Sequence, residues 1–235
     1  ICSTAMAKRI LLTGTTGFLG AYLLDELLHR TDAEIICLVR ASGEGSGRRR
    51  LMNNLKRYSL TPPDIDARVR IVVGDFSKPA FGLSAELYQQ LAAEVDVIYH
   101  NGADFNLALS YAALRATNVG GVIESLKLAV ATRTKPVHLV STFAVHTTAE
   151  NRGQLGTEED PIQPFEKQLY GYTQTKWVGE KLVLEARQRG IPVTMYRPGH
   201  ITGDSITGAS NTNDLLHTLV IICLRLGAAP LRDVE

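Results

Sequence analysis

The segment Thr13-Gly14-Thr15-Thr16-Gly17-Phe18-Leu19-Gly20 sets three glycines at equal spacing between an apolar run, Ile10-Leu11-Leu12, and an amphipathic one, Ala21 to Leu28. Strand, glycine turn and helix in that order open a βαβ unit and commit the downstream chain to a parallel sheet. Gly14 lets the chain turn tightly, Gly17 lets backbone approach a pyrophosphate, and Gly20 lets helix and strand pack closely. The helix N-terminus adds unpaired N–H groups and a positive dipole end, which suit phosphate. Gly14, Thr16, Gly17, Phe18 and Leu19 are the turn's candidate dinucleotide-binding residues. The spacing is G-x-x-G-x-x-G rather than G-x-G-x-x-G, and the bland alternative is a flexible turn.

The remaining chain alternates in the same sense. Short, β-branched, nearly continuous apolar runs predict strands over 9–13, 34–39, 69–73, 95–100, 136–141 and 192–196. Such strands belong to a parallel sheet covered on both faces. Helical patterns fall over 18–30, 44–58, 84–92, 111–131, 170–189 and 213–226. The expected fold class is therefore α/β, a doubly wound, Rossmann-like parallel sheet with right-handed crossovers. Residues 42–47 are flexible by composition, and 147–168 form a long surface excursion near the site.

Bulk properties exclude several classes. At 45% hydrophobic residues a full core is available, and a net charge of +1 gives no global pull toward nucleic acid or a membrane surface. No apolar run approaches the roughly 20 residues of a membrane span. The longest, Leu215 to Leu226, is broken by His217, Thr218 and Arg225. It reads as a core or lid helix, with a membrane-surface or partner helix as the alternatives. Cys2, Cys37 and Cys223 are odd in number and far apart, which argues against a disulfide framework and for a reducing cytoplasm. His100, His138, His146 and His200 lack helical zinc spacing and any cysteine cluster, so no metal is expected. Glu158-Glu159-Asp160 reads as solvated loop.

The position after the second strand selects the cofactor. An NAD-binding fold carries a carboxylate there for the ribose 2′-OH. This chain has Leu38-Val39-Arg40-Ala41. A guanidinium forks onto a 2′-phosphate that a carboxylate would repel, so Arg40 favours NADPH. Arg48, Arg49 and Arg50 begin the next helix; Arg50 is taken as the second cation, the alternative for all three being a solvated basic face. Asp75 and Phe76 end the third strand, where a carboxylate can accept from the adenine amino group, although Asp75 also suits a plain turn.

Tyr172 and Lys176 lie one turn apart on one helix face. A nearby ammonium favours phenolate and is expected to lower the tyrosine pKa, which suits a proton donor to a carbonyl receiving hydride. Ser141 and Thr142 end the fifth strand with two hydroxyls, and Asn118 follows the fourth strand, placed to hold backbone or water. A surface helix pair and an ordinary helix asparagine are the alternatives.

Together these residues resemble the extended short-chain dehydrogenases/reductases. Within them they are most similar to the thioester reductase domains of nonribosomal peptide and polyketide synthases, with carboxylic acid and aminoadipate reductases as relatives. The resemblance rests on the glycine turn, Cys37-Leu38-Val39-Arg40-Ala41, Val97-Ile98-Tyr99-His100-Asn101-Gly102-Ala103 and Thr117-Asn118-Val119-Gly120-Gly121. Residues 135–142, 172–180 and Tyr196-Arg197-Pro198-Gly199-His200-Ile201-Thr202-Gly203 complete it. It implies a triad of Thr142, Tyr172 and Lys176. It also implies Asn101, Gly102 and Ala103 on the adenosine and diphosphate side, and Pro198, Gly199 and Ile201 toward the nicotinamide. The activity implied is NADPH-dependent release of a carrier-bound acyl or peptidyl thioester as aldehyde, then possible reduction to alcohol. The partner implied is an upstream phosphopantetheinylated carrier domain, for which Arg48, Arg49, Arg50, Lys56 and Arg57 offer a basic docking stretch. Family members continue past the point matching Glu235 into a substrate portion. Residues 1–7 are thus an N-terminal remnant, 8–210 the NADP-binding domain and 211–235 the start of that portion, which is otherwise truncated or missing. A sugar-nucleotide epimerase or dehydratase of the same superfamily and a non-catalytic NADP-sensing regulator are the rival readings.

Overall fold

The computed structural model describes residues 9–146, 157–158, 160–212 and 214–230. The expected N-terminal remnant, most of the first half of the 147–168 loop, Glu159 and Asn213 lie outside these residues. Six strands form one parallel sheet: β1 (Arg9–Thr13), β2 (Glu34–Val39), β3 (Val69–Val73), β4 (Val97–His100), β5 (Val137–Val140) and β6 (Val193–Tyr196). Their spatial order is β3-β2-β1-β4-β5-β6. The order reverses between β1 and β4, so the crevice of a doubly wound sheet opens there, at the carboxyl ends of the strands.

Among the described residues eight α-helices accompany the strands: α1 (Phe18–Arg30), α2 (Glu44–Arg57), α3 (Ile65–Arg68), α4 (Ala85–Glu94), α5 (Tyr111–Asn118), α6 (Gly120–Val130), α7 (Gly171–Gln188) and α8 (Leu215–Leu226). The strand period of two divides the core between the sheet's faces. Ile10, Leu12, Ile35, Cys37 and Ile71 pack with Leu24 and Leu28 of α1 and Leu51 and Leu55 of α2. Leu11, Ile36, Leu38, Val72 and Ile98 pack with Leu91 of α4 and Leu128 of α6. Val122, Leu139 and Val183 join α6 and α7 to β5. Burial on both faces explains why these strands read as continuous apolar runs. At the end of α6 the buried Lys135 Nζ donates to the carbonyls of Leu128, Ala131 and Arg133 at 3.1, 2.6 and 3.0 Å, satisfying acceptors that the helix end leaves open.

Several expectations are corrected. The helix expected over 111–131 is two helices meeting at Val119, and a Cβ on Gly121 would fall 2.8 Å from Phe76 and 2.9 Å from His100, so α6 starts pressed onto the sheet's end. Residues 44–47 are not a loose loop but the first turn of α2, with Gly47 buried against Ile71. The described second half of the 147–168 loop is mostly exposed, as a surface excursion should be, but it is anchored at points: Ile162 and Gln168 are buried, Gln168 Nε2 donates to Val145 O, and Trp177 Nε1 donates to Gln163 O at 2.6 Å. α8 has no buried residue among those described, so it is not a core helix here. On the α1 side of the sheet, Tyr99, Val140, Met195 and Tyr196 floor a trough of about 720 Å³ walled by Leu19, Leu23 and Leu27.

Two glycines of the turn are demanded by geometry. Gly14 sits at φ +76°, and a Cβ on Gly20 would lie 2.0 Å from Gly14 O. The Gly20 contact is with backbone, which cannot swing away. Gly20→Ala should therefore lower unfolding stability by about 3 kcal/mol or more, the upper end of overpacking costs. Gly45→Ala, with nothing within 4 Å of its Cβ, should instead raise stability by up to about 1 kcal/mol by helix propensity. Urea midpoints of the two variants check this, and similar shifts would refute the close-contact account.

Candidate active site

The turn after β1 and the loop after β4 touch at the switch point. A Cβ on Gly14 would fall 2.8 Å from Asn101 Nδ2 and from the Gly102 backbone. Thr13 Oγ1 accepts from Gly102 N at 2.9 Å and lies 3.1 Å from His100 Nδ1. Burial, with the Lys176 charge adding to it, pushes His100 down to about 3, so the ring is neutral. Phe76 stands edge-on to His100 at 5.6 Å and presses on Gly102. It is buried beneath the Asn101-Gly102-Ala103 loop, while Ala103 is exposed above it.

The α1 end of the crevice is open for an anion. Gly17 caps α1 with no side-chain hydrogen bond and is itself exposed. Asn54 Nδ2 donates to Thr15 O and Gly17 O at 3.1 and 2.9 Å, fixing the turn from α2. Thr16, Arg50, Asn53, Asn54 and Arg57 line a small cleft of about 260 Å³. Arg40 is exposed at the end of β2, and Arg50 donates to its carbonyl. Arg48 belongs to the structure of the fold instead. It donates to Val69 O at 2.9 Å and Ile65 O at 3.1 Å and pairs with Asp66, which removes it from both the phosphate and the docking stretch. Asp75 Oδ1 accepts from Ser77 N and Oγ at 3.0 and 2.7 Å, the turn role. Burial opposes its ionisation, but those hydrogen bonds, with Arg40 and Lys78, hold its carboxyl below the usual range. A dinucleotide's phosphates fit this end, where glycines stand at the uncapped helix start and two arginines lie at its edge.

At the other end, α7 carries Tyr172 and Lys176. Lys176 Nζ donates to Val140 O at 2.9 Å, tying the helix to the strand end that bears Ser141 and Thr142. It lies 5.9 Å from the Tyr172 ring centroid. Burial pushes Lys176 down to about 8, with the Glu180 carboxylate opposing. Tyr172 corrects the sequence expectation: burial pushes its hydroxyl up to about 12. Ser141 Oγ is buried with no hydrogen-bond partner among the described residues. Thr142 is half-buried, and its Oγ1 accepts from Ala144 N at 3.2 Å. Phe143 N donates to Pro198 O at 2.9 Å, which brings the segment with Gly199 and Ile201 to the same edge. Leu19, Pro198 and Ile201 meet at the trough.

Asn118 joins these parts. Its Oδ1 accepts from Asp104 N at 2.7 Å, and its Nδ2 donates to Asp104 O and to Thr175 Oγ1, both at 3.0 Å. Thr175 Oγ1 donates in turn to Tyr172 O at 2.7 Å. Asn118 therefore holds backbone, as expected, and reaches α7 through a hydroxyl.

Residues 12–234 match an NAD-binding family described as male sterility protein. The chain belongs to that family. It is 49% identical over 221 residues to part of a linear gramicidin synthase polypeptide of Brevibacillus parabrevis, covering 94% of this chain and 4% of that protein. It is 45% identical over 244 residues to a glycine betaine reductase of Emericella nidulans, covering 100% of this chain and 19% of that protein. It superposes on the terminal R domain of the myxalamid PKS-NRPS pathway with a TM-score of 0.91 at 47% identity, covering 97% of this chain and 58% of that one. The chain thus spans 58% or less of each of these three relatives. Its Rossmann-like sheet is the NAD-binding one of this family and superposes on that of the R domain.

Sequence reasoning missed Thr175, Glu180 and Arg197. Arg197 Nε and Nη2 grip the fully buried Glu180 carboxylate at 2.8–3.1 Å, joining the end of β6 to α7. Glu180 is one turn beyond Lys176 on the same face, the one signal that marked it. Among the described residues no group of three or more His, Cys, Asp or Glu side chains is placed to hold a metal, and no helix is long and apolar enough to cross a membrane.

The depressed Lys176 makes a signed prediction. Its folded value of about 8 lies below the ordinary 10.5, so between these limits the unfolded chain holds more protons here. Its contribution to stability must then rise with pH across that window, the burial cost of the ammonium being fully present below it. Relative to Lys176→Met, the parent should gain unfolding free energy from pH 8 to 10. A constant difference over that range would mean that Lys176 is not held down.

Proposed function

We propose that the chain binds NADPH and reduces an acyl or peptidyl thioester carried on the phosphopantetheine arm of an upstream carrier domain. The observation that carries this reading is the Lys176–Val140 hydrogen bond, which ties the helix bearing Tyr172 to the strand end that leads into Ser141 and Thr142. NADPH, when bound, would supply hydride to the thioester carbon, and a second NADPH would supply another for the alcohol; loss of thiol from the hemithioacetal, with its hydroxyl proton passing to the departing sulfur, gives the aldehyde. Tyr172 Oη gives its proton to the carbonyl oxygen, and Thr142 Oγ1 hydrogen-bonds the same oxygen. Tyr172 stays protonated throughout neutral pH, so the donor is always loaded.

Gly14, Thr16, Gly17, Phe18 and Leu19 hold the pyrophosphate side, with Asp75, Phe76, Asn101, Gly102, Ala103 and Asn118 around the adenosine and its loop. Ser141, Tyr172, Lys176, Pro198, Gly199 and Ile201 face the nicotinamide half. Arg40 and Arg50 take the 2′-phosphate. Residues 8–210 form the NADP-binding domain, and 211–235 begin a substrate portion. The carrier docks weakly on the exposed Arg49 and Lys56 of α2. The setting is the reducing cytoplasm, where the buried Cys37 thiol, pushed up to about 12 by desolvation, stays inert.

Mass analysis of a reaction between NADPH and an acyl-phosphopantetheine thioester should find the aldehyde or alcohol, and its absence would sink the reading. Tyr172→Phe keeps the ring but not the proton, and should cut turnover about 10²–10⁴-fold while NADPH binding holds. NADPH should bind more tightly than NADH, and Arg40→Ala should weaken it by about 1–3 kcal/mol, the worth of a charge-assisted contact. Equal affinities of the parent for the two cofactors would remove the Arg40 assignment.

A further inference from the structure

The surface around the start of α7 is rich in exposed apolar side chains. Phe105, Leu109, Leu169 and Tyr170 are 56, 39, 63 and 46% exposed. The Phe105 ring stands edge-on to Tyr172, with centroids 4.9 Å apart and planes at 83°. Leu109 is held at the same place: a Cβ on Gly171 would fall 2.5 Å from Leu109 O, so the chain before α5 lies against the first turn of α7. Leu169 and Tyr170 lead directly into that turn. No charged residue occurs from Phe105 to Leu114 or from Gln168 to Thr175. Exposed apolar side chains gathered at one place mark a surface that something covers.

We propose that this rim binds the acyl portion of the substrate next to the reacting carbonyl, and that it selects an uncharged, apolar acyl group. The inference rests on the reading of Tyr172 as proton donor. A carbonyl oxygen at Tyr172 Oη places the acyl carbons beside the ring on which Phe105 stands. Methylenes lying there leave water for an apolar wall, whereas a carboxylate or ammonium lying against Phe105, Leu109 and Leu169 would lose hydration to side chains that cannot replace it. Leu109, Leu169 and Tyr170 extend the wall outward, so affinity grows with the length of the acyl chain. Continuity with the Tyr172 hydroxyl is what favours an acyl chain over a protein surface as occupant.

The test compares acetyl-, octanoyl- and α-aminoadipyl-pantetheine thioesters, in binding by calorimetry and in reduction by loss of NADPH absorbance. Octanoyl should exceed the other two by about tenfold or more in both, which needs burial of only about two methylenes. Phe105→Ala and Leu169→Ser should each shrink the octanoyl-to-acetyl ratio of kcat/KM toward one. Leu169 separates acyl binding from support of the Tyr172 ring, against which Phe105 stands. A parent that does not discriminate in binding overturns the inference, as does an equal loss for all three thioesters in both variants. A dimer in sedimentation that Leu169→Ser disperses also overturns it, since a second copy would then cover the rim. If octanoyl binds best but nothing is reduced, the reductase reading fails and the rim assignment stands.

Discussion

The contact between Gly20 and the Gly14 carbonyl governs the placement of everything at the crevice. With no room for a side-chain carbon there, α1 starts directly on the turn, and its N-terminal N–H groups face the gap between β1 and β4. That gap exists because the strand order reverses at this point. The loop after β4 must then fit against Gly14, and it does so with Gly102 on Thr13 and Phe76 beneath. A bulkier turn would separate the two loops and move the helix dipole away from the site it serves.

A second set of interactions carries that placement across to α7. Thr13 links His100 and Gly102; Asn118 links Asp104 and Thr175; Thr175 reaches Tyr172 O; Lys176 reaches Val140; and Glu180 holds Arg197. Most of these links join different elements, so the network fixes relative positions rather than local conformation. Burying the Glu180–Arg197 pair costs desolvation that its Coulomb attraction offsets only with good geometry, and here three contacts of 2.8–3.1 Å provide it. Losing either partner would strand the other's charge beside Lys176. The pair therefore belongs to the registry of α7 against β6 more than to net stability.

What was legible in the sequence depends on the range of each interaction. The six strands, the glycine turn and α7 are encoded by short apolar periods and turn residues, and these fall where expected within two residues. The Tyr172–Lys176 spacing was equally local. Their protonation was not, because it depends on burial by elements far away in the chain. The i,i+4 rule brings an ammonium near a phenol but says nothing of desolvation, which here dominates both groups. Arg48 reads as one of three equivalent arginines, yet only it meets Asp66 and the carbonyls of Ile65 and Val69. The glycines of 42–47 read as flexible by composition although the helical pattern already begins at 44, and burial of Gly47 against Ile71 decides for the helix.

The protonation states also constrain the proposed chemistry. With Tyr172 pushed up to about 12 and Lys176 down to about 8, the resting pair at neutral pH is a neutral phenol and an ammonium. The phenol is loaded but reluctant, since burial disfavours the phenolate it would leave. Transfer becomes easier only if the ammonium interacts more strongly with the phenolate than with its present acceptor, Val140 O. The lysine is already 5.9 Å from the ring, and Glu180 sustains its charge from one turn away. In this scheme Lys176 contributes less by lowering the tyrosine's resting pKa than by stabilising the charge that appears during transfer. That is the form in which an electrostatic contact accelerates a step rather than merely binding its reactants.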